Sequence, residues 1–491
     1  MMARHGSLAG PRLLPVVLVL LASGRPAAAQ TLDTIRLSLA EAVRRATDQG
    51  EEIMTARAQL AQAQARVTQA TAIAYPQLAT SLTYNRAIRT IFDDLAPPPA
   101  ADTAQIPSAF DETRTAQERY DTLNELLMQD FMSGLIQGLP FGRRNTYLAA
   151  VQVAQPLFTG GRISGTRAAA RHFETASLYR LDEAEADIEL QVRVAYLNAV
   201  LATQLQAIAR ESRRTAEAHY REVEAFRQAG TSSEFDLLRA RVDFENREPL
   251  VVQADNVARL ALLEVKRLVN LPAEQKLVLT STLDPAQVVV DEAAIARHLE
   301  QRPLLLAARE GVAMREAGLR VARGEWFPSV SLVGNLGFQA YPGSVAPPGL
   351  SDWRQDWSVA LAVSWTLFDG FGRRGRIAEA QAALREARAQ QAQVDEGLRI
   401  ELAAALGDYQ TAQVEIAARR QTVGLAEETL ELAQLRFANG LATQLDASDA
   451  ALLLDQARVN ELQGLHDLVK ALARLERLTG GRVSLLAGET P

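Results

Sequence analysis

Two stretches of the chain carry helix-forming residues for far longer than an ordinary globular helix. Thr166 to Ala229 runs 64 residues without a Gly or a Pro. It is dense in Ala, Glu, Arg, Leu and Gln, which have the best helix propensities. A second stretch, Arg373 to Asn439, follows later. At 1.5 Å per residue each predicted rod spans roughly 95–100 Å, about three times the ~30 Å hydrocarbon core of a bilayer. Charges occur all along both, so neither is a membrane span. Propensity alone does not hold such a helix in water, so each rod needs partners along its length.

Before each rod the period changes from helical to two. Gln77 to Asn85 places Leu78, Leu82 and Tyr84 on one face and Gln77, Ser81 and Asn85 on the other. Asn145 to Phe158 alternates next. Ser329 to Gln339 sets Val330, Leu332, Leu336 and Phe338 against Ser329, Ser331, Asn335 and Gln339. The pattern is clearest from Trp357 to Leu367, where Trp357, Val359, Leu361, Val363, Trp365 and Leu367 oppose Ser358, Ala360, Ala362, Ser364 and Thr366. Leu37 to Ala74 and Glu292 to Gly324 read as helices that enter the hairpins. Return helices follow the rods over about Ser233 to Asn270, with Pro249 as an expected kink, and from Gly440 to about Leu478. Arg86 to Arg144 is an irregular insert with a short helix expected within Thr115 to Met132.

The order is used twice. Phe158 and Phe368 are 210 residues apart, as are Gly230 and Gly440, whereas Pro76 and Pro328 are 252 apart. The excess of 42 is the length added by the insert in the first hairpin. A duplication of this extent fixes a fold more firmly than a short motif. The expected fold is an α+β membrane protein built from a repeated helix–strand–strand–helix–helix unit. The first repeat covers 30–271, with strands about 77–86 and 145–158 and a long helix about 162–229. A linker with short β-like runs covers 272–291. The second repeat covers 292–480, with strands about 329–339 and 357–368 and a long helix about 373–439. A tail covers 481–491.

Composition adds a compartment. Arg4 and Arg12, the apolar run Leu13 to Ala22 and Ala27-Ala28-Ala29 make an export signal over 1–29, with the mature chain expected to start at Gln30. There is no Cys, hence no lipid-attachment Cys and no disulfide framework. Removal of 1–29 takes away three Arg and no acid and leaves a net charge of −10, which argues against nucleic acid as a partner. No later stretch has about 18 apolar residues in a row, so no transmembrane helix is expected.

Strands of 9–13 residues with one apolar and one small or polar face suit a tilted transmembrane β-strand. A half-buried strand in a soluble sheet has the same alternation. The tryptophans separate the two: Trp326, Trp353, Trp357 and Trp365 all lie at or near strand ends of the second hairpin, where aromatic girdles sit. Four strands cannot close a barrel, and an open edge in lipid leaves unpaired backbone groups. Copies must therefore pool strands. Two would give eight, which side chains fill, so a conducting pore favours three or more. The insert should then be extracellular and the rods periplasmic.

The duplicated unit, "YPQL" and "FPSV" entering strands, "PLFTGGR" and "TLFDGFGR" leaving them, and "GTSSEFD" and "GLATQLD" at the rod tips together resemble the outer-membrane efflux family, the TolC-type channel-tunnels. The resemblance covers about Leu37 to Leu478. It implies a homotrimer in outer-membrane lipid, with a twelve-stranded barrel continued by a periplasmic α-helical barrel. It also implies a periplasmic adaptor (membrane fusion protein) and an inner-membrane pump of the RND or ABC type as partners. The expected role is a passive exit duct for small molecules. A duct for type I protein secretion is the alternative, and a periplasmic coiled-coil scaffold is the rival from another class.

Ser233-x-x-Asp236 and Thr443-x-x-Asp446 look like capping boxes after a helix-ending glycine. The resemblance adds a role for these tips (Gly230, Thr231, Ser233, Asp236; Gly440, Leu441, Thr443) in adaptor contact at the tunnel entrance. Asp446 and Asp449, one turn apart, match the family's acidic constriction, which in a trimer would be six carboxylates. Acids opening a solvated helix are the plain alternative. Gly370-x-Gly372-x-x-Gly375 fits a dinucleotide-binding pattern, but the alternating strand before it and the very long helix after it favour a strand-to-rod turn. His172, His219, His298 and His466 are isolated, with no metal-ligand spacing. No catalytic set, cofactor or metal site is expected.

Overall fold

The computed structural model describes residues 34–89, 111, 113–138, 143–283, 292–439 and 441–479. The expected export signal, residues 90–110, 112 and 139–142 of the insert, the "AQVVV" run, Gly440 and the tail lie outside the described residues. In chain order the elements are β1 (Ile35–Leu37), α1 (Leu39–Gln49), α2 (Glu51–Ala72), β2 (Gln77–Arg86), α3 (Ala116–Gly138), β3 (Asn145–Phe158), α4 (Arg162–Gln228), α5 (Glu234–Leu268), β4 (Leu277–Leu279), α6 (Glu292–Leu299), α7 (Pro303–Gly324), β5 (Ser329–Ala340), β6 (Arg354–Ser364), α8 (Gly372–Ala438) and α9 (Gln444–Leu478). The two rods, α4 and α8, are each 67 residues long, and their return helices α5 and α9 are each 35. α5 runs continuously through Pro249.

β2, β3, β5 and β6 form one antiparallel sheet in the order β2-β3-β5-β6. Its register puts the four alternations in phase. Leu78, Val153, Gly334 and Val359 form one cross-strand row, and Thr80, Val151, Leu336 and Trp357 form another. Residues opposite each other share a face, so the apolar sides of all four strands make a single surface. The other surface carries rows such as Ala79, Gln152, Asn335 and Ser358. Within the chain the apolar surface is uncovered: Leu78, Leu82, Trp357, Leu361 and Val363 are 62–75% exposed.

Three expectations change. β6 spans 354–364 rather than 357–368. Ser364 pairs with Ser329, the first residue of β5, and Pro328 before it has no N–H to extend the ladder. Trp365 to Phe368 thus lead into the turn outside the sheet. The entry helix is broken at Gly50, whose backbone lies so close to Ala46 that an added Cβ would meet the Ala46 carbonyl oxygen at 2.3 Å. The helix predicted over Glu292 to Gly324 is two helices, because Pro303 opens α7 at a position where its missing N–H costs nothing. The parallel pairing of β1 with β4 is also new; only the "KLVLTS" strand was visible in the sequence.

The core sits midway along the rods, not in the sheet. Leu37, Ile53, Val192, Tyr196, Val265, Val269, Leu472, Leu475 and Leu478 are among its large, fully buried side chains. Tyr196 fastens the small sheet to the first rod: its hydroxyl donates to the Leu37 carbonyl at 2.8 Å and accepts from the Thr280 and Ser281 amides at 3.1 and 3.0 Å. Beside the core, Arg302 has a fully buried side chain and donates to Glu183 at 2.8 Å. Arg477 reaches Glu183 at 3.1 Å and Glu401 at 2.7 Å. Burial pushes Glu183 above the usual carboxylate range despite the opposing pull of Arg302 and Arg477. This cluster joins α4, α7, α8 and α9.

Each strand-to-rod turn uses two consecutive left-handed residues: Gly160 (φ 63°) and Gly161 (φ 83°) in the first repeat, Gly370 (φ 66°) and Phe371 (φ 68°) in the second. Of the dinucleotide-like pattern only Gly370 sits in this turn; Gly372 opens α8 and Gly375 lies within its first turn. Asp369 secures the strand-to-rod turn by accepting from the Arg373 amide at 2.8 Å and from Arg376 at 3.0 Å. The Arg373 guanidinium lies 4.6 Å from the Trp326 ring centroid. A Cβ on Gly160 would meet the Gly324 carbonyl oxygen at 2.4 Å and Phe327 Cβ at 2.7 Å, whereas one on Gly370 would meet nothing within 4 Å. Gly370→Ala should therefore cost only the left-handed penalty of about 1–2 kcal/mol and leave folded protein in detergent. Gly160→Ala adds a backbone clash and should abolish most of the heat-resistant folded fraction. Equal thermal melts for the two variants would contradict this account of the turn.

Candidate functional site

The rod tips are built from local hydrogen bonding. Ala229 caps the end of α4, and Gly230 takes φ 79°. The Thr231 amide then reaches back to the Phe226 carbonyl at 2.9 Å and the Gly230 amide to Arg227 at 3.1 Å, the paired bonds of a Schellman ending. At the second tip the Leu441 amide bonds Arg436 at 2.8 Å. Gly440 lies outside the described residues. Both return helices open with complete capping boxes, Ser233 with Asp236 and Thr443 with Asp446.

The boxes decide the state of the two acids. Asp236 Oδ2 accepts from the Ser233 hydroxyl at 2.6 Å and its amide at 3.2 Å. Asp446 Oδ2 accepts from the Thr443 hydroxyl and amide, both at 2.7 Å. The hydroxyl bond first and the amide bond second hold each carboxyl below the usual Asp range. Asp446 thus caps its helix and remains exposed and ionised at neutral pH. Asp449 is not part of the box. It lines a cleft between the tips with His219, Asp236, Arg239, Arg247 and Gln444. Arg239, which stands where the second repeat has Asp449, shares that cleft.

Contacts that no local pattern announces tie the two helix pairs together. Gln444 Nε2 donates to His219 Nε2 at 2.5 Å. Asp455 accepts from Ser212 at 2.7 Å and from Arg247 at 3.3 Å, and Arg247 also donates to Ser212. These pairs join positions that do not correspond in the two repeats, so the 210-residue register could not reveal them.

The tryptophans fall into two pairs. Trp326 and Trp365 meet at the rod end of the sheet, where Trp365 Nε1 donates to the Trp326 carbonyl at 3.2 Å. Trp353 and Trp357 lie at the far end of β6. Trp353 to Trp365 is about 40 Å of extended chain, or about 30 Å along the axis of a barrel with strands tilted about 40°. Among the described residues no helix is long and apolar enough to cross a membrane, and no group of three or more His, Cys, Asp or Glu could hold a metal.

A family model described as outer membrane efflux protein matches residues 112–271 and 294–481. Outer membrane protein OprJ of Pseudomonas aeruginosa is 30% identical over 185 residues, which is 37% of this chain and 38% of OprJ. The chain thus matches under two-fifths of that relative's length. The CmeC outer membrane channel of Campylobacter jejuni superposes with a TM-score of 0.72 at 16% identity, covering 92% of this chain and 87% of CmeC. The MtrE outer membrane channel of Neisseria gonorrhoeae, in its open state, gives 0.69 at 18%, covering 90% and 88%. At these identities the two structures share the fold.

The lowered carboxyls of Asp236 and Asp446 set the sign of a pH effect. A depressed folded-state pKa stabilises above the ordinary value of 3.8 and ceases to do so as pH falls through the depressed value. Hydrogen exchange, corrected for intrinsic rates, should show the first turns of α5 and α9 losing protection only below about pH 4. Ser233→Ala and Thr443→Ala should raise that local exchange about five-fold at neutral pH. Protection that falls on raising the pH from 5 to 8 would reverse the assignment.

Proposed function

The chain belongs to the outer membrane efflux protein family, and from that membership we propose that it is the exit duct of a tripartite export system. Three copies supply twelve strands, and the rods continue the barrel into the periplasm as a helical tunnel. The single observation that carries this reading is the sheet: one apolar surface in register across four strands, uncovered within the chain, with β2 and β6 as its outer strands. In lipid the apolar surface is satisfied, and the outer strands pair with those of neighbouring copies. The small and polar surface then lines the lumen. A scaffold working in water would expose that apolar surface to solvent, which disfavours the scaffold reading.

In this reading residues 1–29 are the export signal, 30–271 and 292–480 are the two repeats, 272–291 joins them and 481–491 is a tail. Trp326 and Trp365 mark one membrane interface, Trp353 and Trp357 the other. The tips at Gly230, Thr231, Ser233, Asp236, Gly440, Leu441 and Thr443 face the periplasmic adaptor, which couples the duct to an inner-membrane pump. Small molecules are the expected cargo, since specificity lies with the pump. Asp446 and Asp449 carry negative charge at the entrance and favour cations there; the capping duty of Asp446 leaves one carboxylate oxygen for that role.

Two measurements test this. Envelope fractionation should place the protein in the outer membrane as SDS-resistant trimers that dissociate on heating; a soluble monomer would end the proposal. In planar bilayers, Asp446→Ala combined with Asp449→Ala should raise single-channel conductance and weaken block by divalent cations. Unchanged conductance and block would remove the two acids from the entrance.

A further inference from the structure

The insert between β2 and β3 contains a 23-residue helix, α3, that turns its apolar side outward. Tyr120, Leu123, Leu127 and Phe131 recur every three or four residues and so share one side. They are 65, 39, 60 and 64% exposed, and Met128 beside them is 55% exposed. The side turned inward carries Arg119, Thr122, Leu126 and Gln129. An amphipathic helix of a self-sufficient fold does the reverse. No strand or helix among the described residues packs along α3, so nothing described in the chain covers the stripe.

Charge separates the two surfaces that could cover it. Helices that lie on a membrane carry Lys and Arg on the polar face, which anionic headgroups attract. α3 carries Glu118, Asp121, Glu125 and Asp130 against Arg119, which makes a lipid surface a poor partner. Reach favours a second copy. From Gly138 to Asn145, the first residue of β3, the chain can extend at most about 25 Å. A ring of twelve strands about 4.8 Å apart and tilted about 40° has a radius of about 12 Å. The end of α3 can therefore reach the axis, and the helix, about 34 Å long, exceeds the ring's width. It also follows β2, the strand at the seam between copies.

We propose that the stripe formed by Tyr120, Leu123, Leu127 and Phe131 packs against the same stripe of the neighbouring copies, and that the three α3 helices form a cap narrowing the outer mouth. The cap rests on the three-copy duct proposed above. It sits at the opposite end of the molecule from the rod tips.

The chain has no cysteine, so single cysteines report without background. The full chain carrying Leu127→Cys should, on mild oxidation in intact cells, give a covalent dimer that survives boiling in SDS without reductant. Glu125→Cys, on the opposite side of α3, should give none. If unheated samples hold trimers but Leu127→Cys forms no covalent dimer, the cap is wrong and the duct stands. If no trimer forms in the unaltered protein, both fail. Equal cross-linking of the two variants, or quenching of a bimane label on the Leu127→Cys protein by spin-labelled lipid, would also overturn the cap.

Discussion

In hydrocarbon an amide without a partner finds no water, and each such group costs several kcal/mol. β2 and β6 are the outer strands of the sheet, so each presents one ladder edge with no strand partner among the described residues. The rest of the molecule follows from that shortfall. Its apolar surface points away from the chain's own core, which lies instead among the helices midway along the rods. At its base the sheet is fastened to the rods by the turns around Gly160 and Gly370 and by Arg373 against Trp326.

The two repeats are equal in plan and unequal in detail. Equal rods of 67 residues and equal return helices of 35 give the two repeats matching lengths. The close contacts break the symmetry. Gly160 is crowded by Gly324 and Phe327 while Gly370 is free. Phe371 accepts a left-handed backbone where the first repeat has glycine, and its ring meets Phe368 edge-on at 5.5 Å. At the tips, Arg239 and Asp449 occupy corresponding places and share one cleft.

Period-two and period-3.6 patterns made the strands and rods legible, and the 210-residue offset exposed the duplication. Long periodic segments leave little ambiguity. What stayed hidden depended on single residues acting at close range. Gly50 and Pro303 break helices that periodicity alone would continue. The ladder of β6 stops where its partner begins, which no single strand can announce. Capping boxes were readable because both halves lie three residues apart. The His219–Gln444 and Arg247–Asp455 contacts were not, because their partners are more than 200 residues apart and unrelated by the repeat.

The composition of the central core also sets a timetable. Leu37 and Leu478 belong to one cluster, and Arg302 and Arg477 meet on Glu183. A polypeptide emerging from the ribosome amino end first cannot close this centre until its last helix has been made. Such remote pairings slow folding, because loop closure precedes any reward from contact. The centre therefore closes late, once both rods and both return helices exist.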